Sequence, residues 1–173
     1  MTQSRPAIYG FAYQLNKIRK GAAISTAASK CVQRIPLRWR DLDHQGHVYH
    51  ATLLTLLDEA RTCWLADELG VTTPDSYVVV RMEIDYRAEL TRTDESLDVE
   101  VGVSRIGNTS LTLVESATAH ASGTLVAETI TTIVMWDRAN SKRRPITTAE
   151  RARADRLLTQ DEVGASVISS RAG

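Results

Sequence analysis

Thirteen residues, Arg38 to His50 (RWRDLDHQGHVYH), hold three of the chain's four histidines and two of its aspartates. Such side chains can hold a metal, take part in acid–base or nucleophilic chemistry, or cap backbone N–H groups, and their spacing bears on the choice. Asp41, Asp43, Gln45 and Gly46 follow the opening of a calcium loop, yet its twelfth position, which needs a bidentate Glu, is Thr52. Zinc would need three or four converging ligands from His44, His47, His50 and an aspartate. No H-E-x-x-H spacing organises them, so no metal and no cofactor is expected. Two readings stay open on spacing alone: a catalytic carboxylate ahead of a helix, or a polar turn in which aspartates cap N–H groups and histidines face water.

Two elements must position this stretch. CVQRIPLRWR (Cys31 to Arg40) is rich in strand formers and reads as a first strand. After His50, residues Leu53, Leu56, Leu57, Ala60, Trp64 and Leu69 recur at helical spacing and Gly70 supplies a stop. The first half of this helix is apolar enough to expect burial on more than one side, with Cys63 a small buried side chain. From Tyr77 the period changes to two: LDVEVGV sets Leu97, Val99, Val101 and Val103 against Asp98, Glu100 and Gly102. Strands are expected over Tyr77–Arg87, Ser110–Ala121 and Leu125–Trp136, joined by the IGNTS and ASGT turns, and a short amphipathic helix over Thr148–Leu158. One helix against a single antiparallel sheet is an α+β fold, and an exposed edge strand and sheet face lead us to expect a homodimer.

At 173 residues and 43% hydrophobic content the chain can bury one substantial core. Twenty-one basic residues balance twenty-one acidic ones, so no global field draws it to nucleic acid or an anionic membrane. No apolar run reaches the length of a membrane span, and Cys31 and Cys63 match no disulfide or metal spacing, which suits a cytoplasmic protein. Residues 1–40 contain no acid and eight bases. We read 1–29 as a basic extension without a secretory cleavage pattern, with a targeting segment as the alternative because it is basic and acid-poor, 30–160 as the folded domain and 161–173 as a tail.

Asp41, Asp43, Gly46, Val48, Tyr49, His50, Ala51, Glu59, Ala60 and Arg61 together resemble the signature of the 4-hydroxybenzoyl-CoA thioesterase-like branch of hot-dog fold thioesterases, especially its YbgC-type members. The pattern is an acidic D-x-D pair, a glycine three residues later, V-Y-H-A at a helix start and E-A-R further along. Weaker similarity continues across Tyr77 to Trp136, for a coverage of about residues 30 to 140. Leu53 departs from an aromatic that the family commonly carries, which touches pocket shape. The resemblance implies an antiparallel sheet wrapped around one long central helix, a dimer with active sites at its interface, and hydrolysis of an acyl-CoA thioester.

Carried over residue by residue, the resemblance makes Asp43 the catalytic carboxylate and places the oxyanion donors at Tyr49 to Ala51, centred on His50. Asp43 acts either as nucleophile, giving an acyl anhydride, or as general base for water. His50 contributes its backbone, with or without its side chain. Asp41 is expected to order the turn and Gly46 to supply its backbone freedom. Val48 completes the pocket, and Glu59 either approaches it or forms a structural ion pair. Coenzyme A phosphates need local cations, for which Arg105, Arg138 and Arg143, with Lys142 and Arg144 beside them and Asn108 and Ser110 as polar contacts, are candidates. Acyl-carrier-protein thioesters, or acyl-CoA binding without catalysis, are the alternatives, and the assembly is expected to be a dimer or a tetramer of two dimers.

Overall fold

The computed structural model describes residues 31–158, so the expectations for 1–29 and 161–173 lie outside the described residues. Six strands form one antiparallel sheet: β1 (Val32–Pro36), β2 (Tyr77–Tyr86), β3 (Ser96–Ile106), β4 (Ser110–Ala119), β5 (Leu125–Asp137) and β6 (Lys142–Arg143). Their order is β1-β3-β4-β5-β2, with the short β6 pairing to β5. The sheet curls around a central helix, α1 (His50–Trp64), and a second helix, α2 (Thr148–Arg156), follows the last strand. This is the α+β hot-dog arrangement that the resemblance implies.

Alternation along the strands builds the concave face. Leu97, Val99 and Val103 of β3, Leu111, Leu113 and Ala117 of β4, and Ala127, Ile133 and Met135 of β5 are buried. Val101 is only partly buried. Against this face α1 lays Leu53, Leu56, Leu57, Ala60 and Trp64, all at most 3% exposed. Each such large apolar side chain contributes on the order of 2 kcal/mol by leaving water. Leu54, on a second flank, is also partly buried against the core. Cys63 differs from expectation: it is exposed, because it sits about 80° around the helix from the Ala60–Trp64 ridge, at the margin of the apolar stripe.

Helical geometry continues past Trp64 as one wide π turn, Leu65–Leu69, and ends at Gly70 with φ +73°. Gly70 N–H donates to the Ala66 carbonyl and Val71 N–H to that of Leu65, the left-handed closure that a glycine permits. The first strand is shorter than its sequence suggests: Pro36 ends it, and Trp39–Asp41 forms a 3-10 turn. The strand β6 has no counterpart among the expected elements; two charged residues carry no period. A capping box between Thr147 and Glu150 opens α2, which buries only Ala154.

A polar layer divides the core. Glu115 occupies an inward position of β4 between Leu113 and Ala117, and Arg61 of α1 meets it through Nε at 2.7 Å and Nη2 at 3.1 Å. Both side chains are fully buried. Thr131 Oγ1 donates to the same carboxylate at 2.9 Å and Thr129 Oγ1 donates as well, while Arg61 Nη1 reaches Asp58 at 2.8 Å. Apolar clusters centred on Leu53–Ala60 and on Trp64–Leu69 lie on either side. The layer therefore fixes how α1 is rotated and where it lies along the sheet, which sets the place of its N-terminus.

Candidate active site

Asp43 begins a tight loop. Its N–H donates to the His47 carbonyl at 2.8 Å, and Gly46 N–H donates to the Asp43 carbonyl at 3.1 Å. Gly46 adopts φ +83°, the left-handed conformation that made a glycine expected there. Asp43 Oδ1 accepts from the N–H groups of Gln45, at 2.8 Å, and His47, at 3.0 Å. The His47 N–H bond, reinforced by that of Gln45 and opposed by desolvation, holds the Asp43 carboxyl below the usual aspartate value. Asp43 thus stays ionised, with Oδ1 engaged and Oδ2 in no hydrogen bond among the described residues.

Asp41 orders the preceding turn, as expected: Arg38 N–H donates to its Oδ2 at 2.7 Å. Val48 N–H donates to the Leu90 carbonyl at 2.8 Å, and His47 bridges Thr91, so the loop is pinned to the segment after β2. These ties deliver Tyr49 to the head of α1 with φ −62° and ψ 141°. That is an N-cap conformation without an N-cap side chain: the tyrosine makes no capping bond and the first turn holds no acid. The N–H groups of the first turn consequently remain open, and they carry the positive end of the helix dipole.

A cavity of about 430 Å³ joins these parts. Asp43, Val48, Tyr49 and His50 line it, with Leu53 behind them. Of the other sequence candidates, Gly46 shapes the loop, and Ala51 lies exposed in the first turn of α1. Glu59 is not among the lining residues; it pairs with Arg38 through two hydrogen bonds of 3.1 and 2.7 Å, the structural alternative of its two expected roles. The wall opposite α1 consists of residues that sequence reasoning missed: Tyr86 at the end of β2, Arg87 through Leu90 after it, and Val126 of β5. Arg87 in that wall is held by Glu128 at 2.6 Å, and His47 Nε2 lies 3.7 Å from Glu89.

The coenzyme A candidates sit elsewhere. Val126 lines the cavity, whereas Arg138 lies just past the far end of β5, roughly 40 Å along the chain at ~3.3 Å per residue. Arg143 in β6 and the 107–110 turn, with Arg105 just before it, share that distal end. Asn108 offers its carbonyl to Ile146 N–H at 2.9 Å, and the Ser110 carbonyl accepts from Gly107 N–H at 2.8 Å, so this turn is tied into the fold. Arg144 is paired with Glu150 at 2.7 Å.

A sequence profile of the thioesterase-like superfamily matches residues 37–154. No curated protein matches the chain significantly. Among solved structures, a thioesterase from Thermus thermophilus, complexed with coenzyme A and Zn, is 28% identical with a TM-score of 0.60, covering 73% of this chain and 92% of that one. The PA5185 protein of Pseudomonas aeruginosa is 23% identical with a TM-score of 0.67, over 75% and 92% of the two chains. A 1,4-dihydroxy-2-naphthoyl-CoA thioesterase from Synechocystis, 19% identical with a TM-score of 0.61 over 73% and 96%, shares the fold.

Proposed function

Because the chain belongs to the thioesterase-like superfamily, we propose that it hydrolyses an acyl-coenzyme A thioester at the cavity between Asp43 and the head of α1. The observation that carries this reading is one ionised carboxylate and one uncapped helix N-terminus lining the same cavity. The thioester carbonyl oxygen would accept from the N–H groups around His50, where the fixed dipole stabilises negative charge as it develops. Asp43 Oδ2 then serves in one of two ways. It attacks the carbonyl carbon, the C–S bond breaks, thiolate leaves and water hydrolyses the resulting anhydride, or it takes a proton from the water that attacks. Its lowered pKa keeps it ionised, the form that either route requires.

Coenzyme A is preferred over a carrier protein because the Thermus thermophilus relative was solved with coenzyme A. A homodimer accords with β2, an edge strand whose Val79 and Val80 are 41% and 57% exposed. Antiparallel pairing of two β2 edges would carry the distal cations, Arg138 and Arg143, of one copy toward the cavity of the other. Among the described residues no helix is long and apolar enough to cross a membrane.

The test is turnover of an acyl-CoA panel by wild type and Asp43→Asn. The reading expects hydrolysis by wild type and a loss of at least about a hundredfold in the variant. Cleavage of acyl-carrier-protein thioesters alone would transfer the site to that substrate. Tight acyl-CoA binding without cleavage would make the protein a binding module.

A further inference from the structure

Trp39 is 75% exposed, more than any other large hydrophobic side chain among the described residues. Arg92 stacks on it, with Cζ 4.5 Å from the ring centroid. Arg92 has no carboxylate partner among the described residues, and neither does Arg40, the next residue to Trp39. A guanidinium over one indole face leaves the other face open and holds the ring in place. Neither residue lines the cavity, but chain connectivity keeps the pair close to it. Arg92 follows Thr91, which bridges His47, so Arg92 lies within about 9 Å of that lining residue, Cα to Cα. Trp39 precedes Asp43 by four residues, at most about 14 Å.

We propose that the Trp39–Arg92 stack seats the phosphorylated adenosine of coenzyme A, the purine on the open indole face and its phosphates toward Arg92 and Arg40. This rests on the acyl-CoA reading above and adds a subsite supplied by the same chain as Asp43. Three features suit the ligand. A purine stacks on an aromatic face in any orientation of its edges, a planar guanidinium takes phosphate in two-pronged fashion, and the pantetheine arm spans the distance to Asp43 with slack. The cavity itself is poorly suited to phosphates, since Asp43 and Glu89 line it and its one arginine, Arg87, is already held by Glu128.

The experiment pairs kinetics with binding. Trp39→Ala should raise KM for acyl-CoA about tenfold with kcat unchanged, and leave hydrolysis of the matching acyl-pantetheine as in wild type. Arg92→Lys, which keeps the charge but not the planar stack, should fall between wild type and Arg92→Ala. Adenosine 3′,5′-bisphosphate should quench tryptophan emission of wild type and not of Trp39→Ala; Trp64 is fully buried, and the half-buried Trp136, beside Arg143 at the distal end of β5, remains in the variant as the control for binding there. That binding needs no turnover, so it stands or falls separately from the thioesterase reading. Wild-type affinity for the bisphosphate in Trp39→Ala, or equal losses on acyl-CoA and acyl-pantetheine, overturns the proposal. So does a change of oligomeric mass in Trp39→Ala with unaltered affinity, which would make the tryptophan a contact between copies.

Discussion

Position 49 separates helix stability from catalysis. Tyr49 has the backbone of an N-cap and no side chain able to accept from the N–H groups of the first turn. Its ring is 51% exposed and lies tilted on His50, with centroids 4.0 Å apart. Tyr49→Ala removes the ring alone. Tyr49→Asn and Tyr49→Asp remove it equally and add a capping acceptor, so each should exceed the alanine variant in stability by about 1 kcal/mol, or roughly 2–4 °C in Tm at this chain length. Activity should order them differently. A carboxylate some ~6 Å from the developing oxyanion, at an effective dielectric of ~40, raises the barrier by about 1.4 kcal/mol, a tenfold loss of Asp relative to Asn. The assays are thermal melts at fixed protomer concentration and kcat/KM on one acyl-CoA. If the Asn variant melts with the Ala variant, the N–H groups are already satisfied and the open terminus is refuted. If Asp and Asn turn over equally, the helix head does not face the transition state.

The buried pair Arg61–Glu115 should behave as a unit. Glu115→Ala or Arg61→Ala alone strands a charge and should cost about 3–5 kcal/mol, whereas Arg61→Leu with Glu115→Leu should cost far less than the sum of the single leucine changes; additivity in denaturant melts within ~0.5 kcal/mol would refute the coupling. Asp98 is held below the ordinary carboxylate value chiefly by its hydrogen bond from Arg34, with His120 adding a second. Its contribution is therefore complete above the unfolded value of about 3.8 and is lost as pH falls through the lower native one, so Asp98→Asn should flatten the stability profile below pH ~4 and leave its neutral-to-alkaline shape unchanged. Gly46→Ala should cost about 1–2 kcal/mol from backbone alone, because at φ +83° an added Cβ meets nothing within 4 Å. Gly46→Asn should cost less in the same melts, since asparagine tolerates the left-handed region, and equal losses would point to something other than φ.

What the sequence revealed of the site follows chain connectivity. Asp43, Val48, Tyr49 and His50 are near neighbours in the chain, so a local pattern of loop and helix start was enough to group them. The facing wall is not local: β2 meets β5 with Tyr86 opposite Ala127, a register that the strands' alternation leaves undetermined. Hence Tyr86 to Leu90 and Val126 had no signal linking them to Asp43. The distal cations pose the same problem: Arg105 and Arg138 stand near turns, and charge beside a turn does not say at which end of a strand it lies or whether a second copy brings it to the cavity. The buried layer did leave a signature. In LTLVESA, Glu115 falls in an inward slot between Leu113 and Ala117, and Arg61 lies on the flank of the apolar stripe of α1. Each violates the pattern of its own element, and their charges are opposite. Two such violations in one small domain can be reconciled only by pairing, because a lone charge at either place would be costly to bury. The E-A-R segment, taken as part of a family signature, therefore carries a physical reason of its own: its arginine holds the helix against the sheet, and its glutamate ties Arg38 and the turn before Asp43 to the same helix.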